Sequence, residues 1–274
     1  MRFFESLLYG VFSGLAEFLP VSTQAHQAFC MQLFGRAQRE PLRDLFVHIA
    51  LLMALLHASK SLFDRVKREK QIILHSKRAR PVANKSLMDL RIVRTAALPM
   101  LVMLLFYIAT IKWEAKPTMV ALMMVLNGII LLIPEYMRHG NKDARSISAI
   151  EGALLGIGSG LSMLPGVSRI AGGVTIATAC GADRQHSVNW ALMLTVPALA
   201  FYMLVDVINM FVIGFAGFTF LAFLGYLVSA VVAYLSGYFS VLLFRFMADK
   251  AGFAGFAYYS WGAALFMFVL YLIT

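Results

Sequence analysis

Ser13-Gly14-Leu15-Ala16-Glu17-Phe18-Leu19-Pro20-Val21-Ser22-Thr23-Gln24-Ala25-His26 and Ser159-Gly160-Leu161-Ser162-Met163-Leu164-Pro165-Gly166-Val167-Ser168-Arg169-Ile170-Ala171-Gly172 read almost alike. Each follows an apolar lead-in, Leu8-Tyr9-Gly10-Val11-Phe12 in one case and Leu155-Gly156-Ile157-Gly158 in the other. Each interrupts an apolar run with a Pro and carries ionisable groups, Glu17 and His26 in the first and Arg169 in the second. Irregular backbone at membrane depth survives only where protein or a wet cavity covers it. A charged side chain at that depth is expensive, so function is its default reading.

The rest of the chain supplies the membrane. Of its 274 residues 60% are hydrophobic and 14% charged, with a mean hydropathy of +0.76; soluble domains carry roughly a quarter charged residues. Six stretches reach the roughly 20 apolar residues that a crossing needs, at about 42–63, 90–111, 118–136, 188–210, 218–244 and 253–273. The start of the chain lacks the pattern of a cleaved signal peptide, because its apolar run continues straight into the first polar motif. The net charge of +10 is concentrated, with eleven of the 24 Lys and Arg between residues 60 and 94. That is the positive-inside signal of a cytoplasmic loop, helped by anionic headgroups, and nucleic acid is not an expected partner. Cys30 and Cys180 read as small packing residues with no assigned role.

Left over are segments 3–34 and 147–180, each split by its Pro. Their halves are about 12–15 residues long, too short to span, which favours two re-entrant helix hairpins over two Pro-kinked spanning helices. Loop charge then sets the orientation: residues 60–89 and 138–145, with Arg245 and Lys250, fall inside, while Arg36, Arg39, Arg43, Lys112 and Lys116 fall outside. One hairpin plus three spans makes each half, and three is odd, so the second half is inverted. The fold class is an all-α polytopic membrane protein of six transmembrane helices and two re-entrant hairpins. It forms a single domain over 1–274, with repeat 1 at about 1–140 and repeat 2 at about 147–274. This is the inverted-repeat plan of secondary transporters, with broken tips meeting near the midplane. The plan alone does not separate transport from catalysis.

Ser22 and Ser168 are placed to cap the second half-helices. Two helix N-termini at one cavity suit an anion, and the Arg169 guanidinium matches phosphate or carboxylate oxygens. Ser22, Thr23, Gln24 and Ser168 add hydrogen bonds. Glu17 and His26 exceed what anion binding alone requires, and the whole set suits phosphoryl transfer. Glu17 and Arg169 also read as a structural ion pair bridging the hairpins, and the hydroxyls as partners for backbone freed by Pro. His48 is a supporting candidate at mid-membrane, and His57 is interfacial. Asn127, Glu135, Asp206 and Asn209 lie near span ends and read as solvated heads. Tyr258, Tyr259 and Trp261 read as an aromatic belt.

Through Glu17-Phe18-Leu19-Pro20-Val21-Ser22 with His26, and Pro165-Gly166-Val167-Ser168-Arg169, the chain resembles the bacterial undecaprenyl-diphosphate phosphatases, the bacitracin-resistance membrane proteins, over its whole length. Pro197 also fits the family layout. The resemblance implies hydrolysis of an undecaprenyl diphosphate to the monophosphate and inorganic phosphate, in recycling the lipid carrier of cell-wall synthesis. It implies a site opening to the outer face of the cytoplasmic membrane and a divalent cation, Mg²⁺ or Ca²⁺, with Glu17 as its carboxylate. The implied partners are the polyprenyl diphosphate and membrane lipids, with room for a homodimer. Catalytic roles would fall on Glu17, Ser22, Thr23, His26 and Arg169, and phosphate contacts on Ser22, Thr23, Gln24, Ser168 and Arg169. The chain departs from the family pattern at Ser13, where an acid or amide is usual, and at Gln24, Ala25, Ile170 and Ser260, so it reads as a divergent member. The alternative is a transporter or flippase for an anionic lipid or phosphorylated solute, using the same inverted-repeat site.

Overall fold

The computed structural model describes residues 3–35, 40–76, 88–110, 116–137, 140–144, 146–213, 219–250 and 252–273. Arg36, Arg39, Lys112, Arg138, His139 and Arg145, and the basic run at 77–87, lie outside the described residues. Among the described residues the fold is all helix. Six helical stretches are long and apolar enough to cross a membrane: Pro41–Ala58, Asp89–Thr110, Pro117–Tyr136, Arg184–Val212, Phe220–Ala248 and Ala254–Leu272. No more than 44% of any of these windows is buried by protein, so the remaining apolar surface needs lipid to cover it.

Local sequence explains where these helices begin and bend. Helix α3 (Pro41–Ala58) and helix α7 (Pro117–Tyr136) each start on a Pro, whose missing N–H is one that a first turn leaves unpaired anyway. The first span stops at Ala58, earlier than the sequence suggests, and Ser59 leads into helix α4 (Lys60–Ser76). Much of the expected basic loop is therefore helical. The second span is helix α5 (Met88–Ala97) and helix α6 (Val102–Thr110), joined by a tighter turn at Pro99–Leu101. Helices α10 (Arg184–Ile213), α11 (Phe220–Lys250) and α12 (Ala254–Ile273) complete the set, and α10 accommodates Pro197 in its interior. Arg65 pairs with Asp89 at 2.6 Å, and the Trp190 indole donates to the same carboxylate at 3.2 Å, tying α4, α5 and α10 together.

The two polar segments form two broken helix pairs. Helix α1 (Phe3–Phe18) is followed, after residues 19–22, by helix α2 (Thr23–Leu33). Ring contacts of Phe12 with Phe29 and of Phe4 with Phe34, and a 3.0 Å bond from Gln27 to Ser13, bring α2 back along α1. Helix α8 (Ala149–Gly160) is followed by a short turn and helix α9 (Arg169–Ala179). These two touch through small residues: a Cβ on Gly172 would run into the Gly158 carbonyl. Helix α1 lies beside α11, where Ser229 donates to the Ser6 carbonyl and Ser240 to the Leu15 carbonyl. Helix α8 lies beside the second span, with Gly152 against Thr95 and Gly156 against Ala96.

One sequence reading changes here, and another gains a detail. Arg43, on the outer side by loop charge, is buried, 3.6 Å over the Tyr9 ring and 3.2 Å from Asp44. Charge counting assigns a residue to a side of the membrane and says nothing about an acid on the next residue. Asn127 and Asp206, read as solvated heads, are also buried. Cys30 and Cys180 are free thiols, as a packing role requires.

Candidate functional site

Pro20 ends the first half-helix, and Ser22 is extended (φ −80°, ψ 116°), so its hydroxyl can accept from the Ala25 N–H at 3.3 Å and cap α2. Ser168 is likewise extended and caps α9, accepting from the Ala171 N–H at 3.4 Å. The caps also reach across. The Ser22 hydroxyl accepts from the Gly166 N–H at 3.1 Å, and the Ser168 hydroxyl donates to the Leu19 carbonyl at 3.4 Å. Gly166 has φ +116°, a conformation that suits only glycine. Asn127 of α7 sits between the breaks: its carbonyl oxygen accepts from the Ser168 N–H at 2.8 Å, and its amide donates to the Pro20 carbonyl at 3.1 Å and Ser260 at 3.0 Å. Backbone groups released by the two prolines thus find protein partners, as buried polar groups normally do.

At this junction Glu17, in the last turn of α1, meets Arg169, the first residue of α9. One Arg169 terminal nitrogen donates to Glu17, and Thr23 donates to the other carboxylate oxygen at 2.8 Å. Glu17 is 3% and Arg169 4% exposed. A cation at a helix N-terminus opposes the helix dipole, so this guanidinium and the α9 amides reinforce each other's positive potential. Glu17 offsets part of it. Arg169 Nε and Nη1, Gln24 Oε1 and the Ser159 hydroxyl are buried with no hydrogen-bond partner among the described residues. Buried donors are normally satisfied, and two orphaned guanidinium nitrogens beside a helix N-terminus mark a place for an anion.

The cavity there has a volume of about 20 Å³, room for a single water. Glu17 and Arg169 must part to admit anything larger. His48 of α3 lines the same cavity, with Nδ1 2.6 Å from an Asp206 carboxylate oxygen. Its ring stacks on Tyr202 at 5.3 Å, and the Arg169 guanidinium lies 5.2 Å from the centre of the same Tyr202 ring. The Tyr202 hydroxyl donates to the Ser162 carbonyl at 3.3 Å.

The structure therefore brings together Glu17, Thr23, Gln24, Ser168, Arg169 and His48 around the cavity, with Ser22 immediately behind as a cap. Ser13 also stands behind, holding the Gln27 amide. His26 is placed elsewhere. Its Nδ1 is 2.6 Å from the Ser22 carbonyl, its Nε2 is 2.8 Å from the Tyr259 hydroxyl, and its ring stacks on Tyr259. It lines a separate apolar groove of about 420 Å³, with Phe12, Phe29, Phe266 and Met267. At 100° per residue, positions 23, 24 and 27 share one face of α2, while 25, 26 and 29 share the opposite one. Asn127, Tyr202, Asp206 and Tyr259 are the functional-site residues that sequence reasoning missed. For Asp206 a signal existed, since a carboxylate in the apolar run 198–208 obeys the same rule that singled out Glu17.

As they stand, these donors form no protein cage for a resident divalent cation. Ca²⁺ takes many oxygen ligands, whereas Mg²⁺ is held by one or two carboxylates together with substrate phosphates. Both Glu17 oxygens are engaged by Arg169 and Thr23, and no group of three or more His, Cys, Asp or Glu able to hold a metal occurs among the described residues.

The chain is similar over nearly its whole length to proteins named undecaprenyl-diphosphatase. The one from Carboxydothermus hydrogenoformans is 26% identical over 272 residues, 98% of each chain. The one from Halothermothrix orenii is 24% identical over 270 residues, and the one from Methanobrevibacter smithii 26% over 277, each again covering 98% of both chains. Residues 6–266 match the family described as bacitracin resistance protein BacA, and by that match the chain belongs to this family.

Proposed function

We propose that this chain is a membrane-embedded phosphatase that hydrolyses a polyprenyl diphosphate of the undecaprenyl type to the monophosphate and inorganic phosphate, recycling the lipid carrier of cell-wall synthesis. The observation that carries this reading is Arg169: a buried guanidinium at a helix N-terminus, with two donors unpartnered and an acid as its resting counter-ion. The names of its relatives supply the substrate class. The apolar groove on the other face of α2 has the lining that a long isoprenyl chain needs, next to a polar cavity for its diphosphate. A transporter using the same site is not favoured, since the relatives are named for hydrolysis.

The reaction asks four things of these residues. Arg169 leaves Glu17 and takes a terminal phosphoryl oxygen through its free nitrogens. The N-terminal amides of α2 and α9 add to that hold. Thr23 and Gln24 orient the group from the α2 face. Charge that builds on the bridging oxygen is stabilised by the fixed N-terminal ends of α2 and α9 together with the released Arg169 guanidinium. No step passes through a metal ion.

The reading includes a membrane plan in which both broken pairs are re-entrant and related as an inverted repeat. Its support is directional: α1 runs parallel to the fifth span, residue 6 at 229 and residue 15 at 240, whereas α8 runs parallel to the second span. Those two spans cross in opposite senses if successive spans alternate. The site is proposed to open to the outer face of the cytoplasmic membrane. His48, Tyr202 and Asp206 lie toward the start of α3 and the end of α10, away from Lys60, Arg65, Lys67, Arg68 and Lys70 of α4. Positive residues favour the cytoplasmic side.

The test is phosphate release from C55 and shorter isoprenyl diphosphates by the purified chain, with and without chelator. Steady release that survives chelation and disappears in Arg169→Ala is expected. No release, while a relative named undecaprenyl-diphosphatase is active in the same detergent, would sink the reading.

A further inference from the structure

Hydrolysis of a diphosphate by water needs a group to take a proton, and the described residues include two buried histidines, His26 and His48, with different surroundings. Both ring nitrogens of His26 are occupied, by the Ser22 carbonyl and the Tyr259 hydroxyl, and its ring faces the apolar groove. His48 lines the polar cavity with Glu17 and Arg169. Its Nδ1 is held by Asp206 at 2.6 Å, which leaves Nε2 as the nitrogen to take a proton. The face of its ring is fixed by Tyr202, which also receives the Arg169 guanidinium. A carboxylate on one imidazole nitrogen selects the tautomer that leaves the other nitrogen free to accept.

We propose that His48, oriented by Asp206, is the general base of this site, and that His26 acts on the lipid side of α2 and takes no part in the proton transfer. This rests on the diphosphatase reading. A water between His48 Nε2 and the terminal phosphorus attacks that phosphorus, and its proton passes to Nε2. The bond from the terminal phosphorus to the bridging oxygen breaks, and its electron pair stays on that oxygen, which departs as part of the lipid monophosphate. The Asp206 carboxylate stabilises the imidazolium until its proton is released with the inorganic phosphate. The charged and titratable groups facing His48 are Glu17 from α1, Asp44 on α3 itself, Tyr202 and Asp206 from α10, and Arg169 from α9. With Glu17 and Asp206 flanking the ring, an imidazolium is electrostatically supported at the moment it forms.

Residues 48 and 206 sit on the first and fourth spans, 158 positions apart. Their meeting is a property of the fold that no local motif announces. General-base catalysis contributes roughly 10²–10⁴-fold, which sets the size of effect to look for.

The experiment is a pH profile of phosphate release from a polyprenyl diphosphate by the purified full chain and by His48→Asn, Asp206→Asn and His26→Asn. His48→Asn is expected to lose about 10²–10⁴-fold in kcat with KM nearly unchanged, and to lose the acidic limb of the profile. Asp206→Asn should lose less and displace that limb. His26→Asn should keep the limb and change mainly KM. Binding of the lipid monophosphate product shows whether each variant is folded, and His48→Gln replaces His48→Asn if the latter is not. If His48→Asn or His48→Gln keeps the limb, or His26→Asn alone removes it, the base is misassigned although the chain remains a diphosphatase. If the unmodified chain releases no phosphate, both readings fail together.

Discussion

Residues 19–22 and residues 164–168 solve one backbone problem in one way, and then diverge in what they carry. Both use a Pro to end a half-helix, an extended Ser to cap the next, and Asn127 to take up what remains. The first break carries an acid before it and a polar face after it, Thr23, Gln24 and Gln27. The second carries a single guanidinium, followed by the small and apolar residues of α9, which is buried along most of its length. Buried backbone groups need partners, so both halves supply them. Charge pairing needs unlike partners, so the halves cannot both carry the same group.

The sharpest way to break this division of labour is to remove one partner of the pair. Arg169→Ala should abolish phosphate release to below about one part in 10², the scale of losing a preorganised electrostatic contact. Glu17→Ala should be the more damaging to stability, because it leaves a buried guanidinium uncompensated; breaking a buried pair costs about 3–5 kcal/mol. Thermal unfolding in detergent, read beside activity, separates the two. Equal destabilisation by both variants would show that the halves are not distinguished by charge.

The next effect tests what the halves share. Asn127→Leu removes the acceptor for the Ser168 N–H and the donors for the Pro20 carbonyl and Ser260. Each buried group left unpaired costs about 1–3 kcal/mol, so a loss of several kcal/mol is expected, with activity falling although Leu touches no substrate. Hydrogen exchange should rise at both breaks together. Exchange confined to one break would mean that Asn127 serves only that half.

What the sequence revealed follows the same line. The six spans are legible because a crossing needs a long apolar run whatever packs beside it. The caps are legible because Pro followed by Ser leaves the backbone few alternatives, and the meeting of Glu17 with Arg169 follows from the duplication of the motif. The aim of side chains on α2 was not legible: His26 lies two residues from Gln24 and points into a different cavity. The burial of Asn127 and Asp206 was not legible because position along a span does not set exposure: their partners come from other parts of the fold. The helical course of α4 was hidden by its charge, which signals a side of the membrane and is silent on conformation.

A smaller effect separates the two caps. Replacing a capping Ser by Ala costs about 0.5–2 kcal/mol. Ser22→Ala should fall at the upper end, since it also strands the Gly166 N–H, and Ser168→Ala at the lower end, since its 3.4 Å bonds are the longer ones. Chemical denaturation of the two variants in parallel gives the order. The reverse order would place the weight of the junction on the second break.

The smallest effect lies where the half-helices begin. Glu5, in the first turn of α1, is buried, whereas Glu151, in the first turn of α8, is part-exposed in a capping box with Ser148. The hydrogen bond from Lys142 at 2.6 Å, followed by that from the Ser148 N–H, holds the Glu151 carboxyl down to about 2 from an ordinary 4.5. A carboxyl depressed on folding binds fewer protons in the folded chain, so its contribution is complete above about pH 4.5 and is lost as pH falls toward 2. Lys142 and Glu151 are in reach of solvent, and such pairs are worth at most about 1 kcal/mol. The melting temperature should therefore drop slightly more between pH 5 and pH 3 in the unmodified chain than in Glu151→Gln, with Lys142→Met intermediate because the Ser148 bond remains. If Glu151→Gln tracks the unmodified chain across that window, the cap of α8 carries no proton-linked stability, and the two half-helix starts are alike after all.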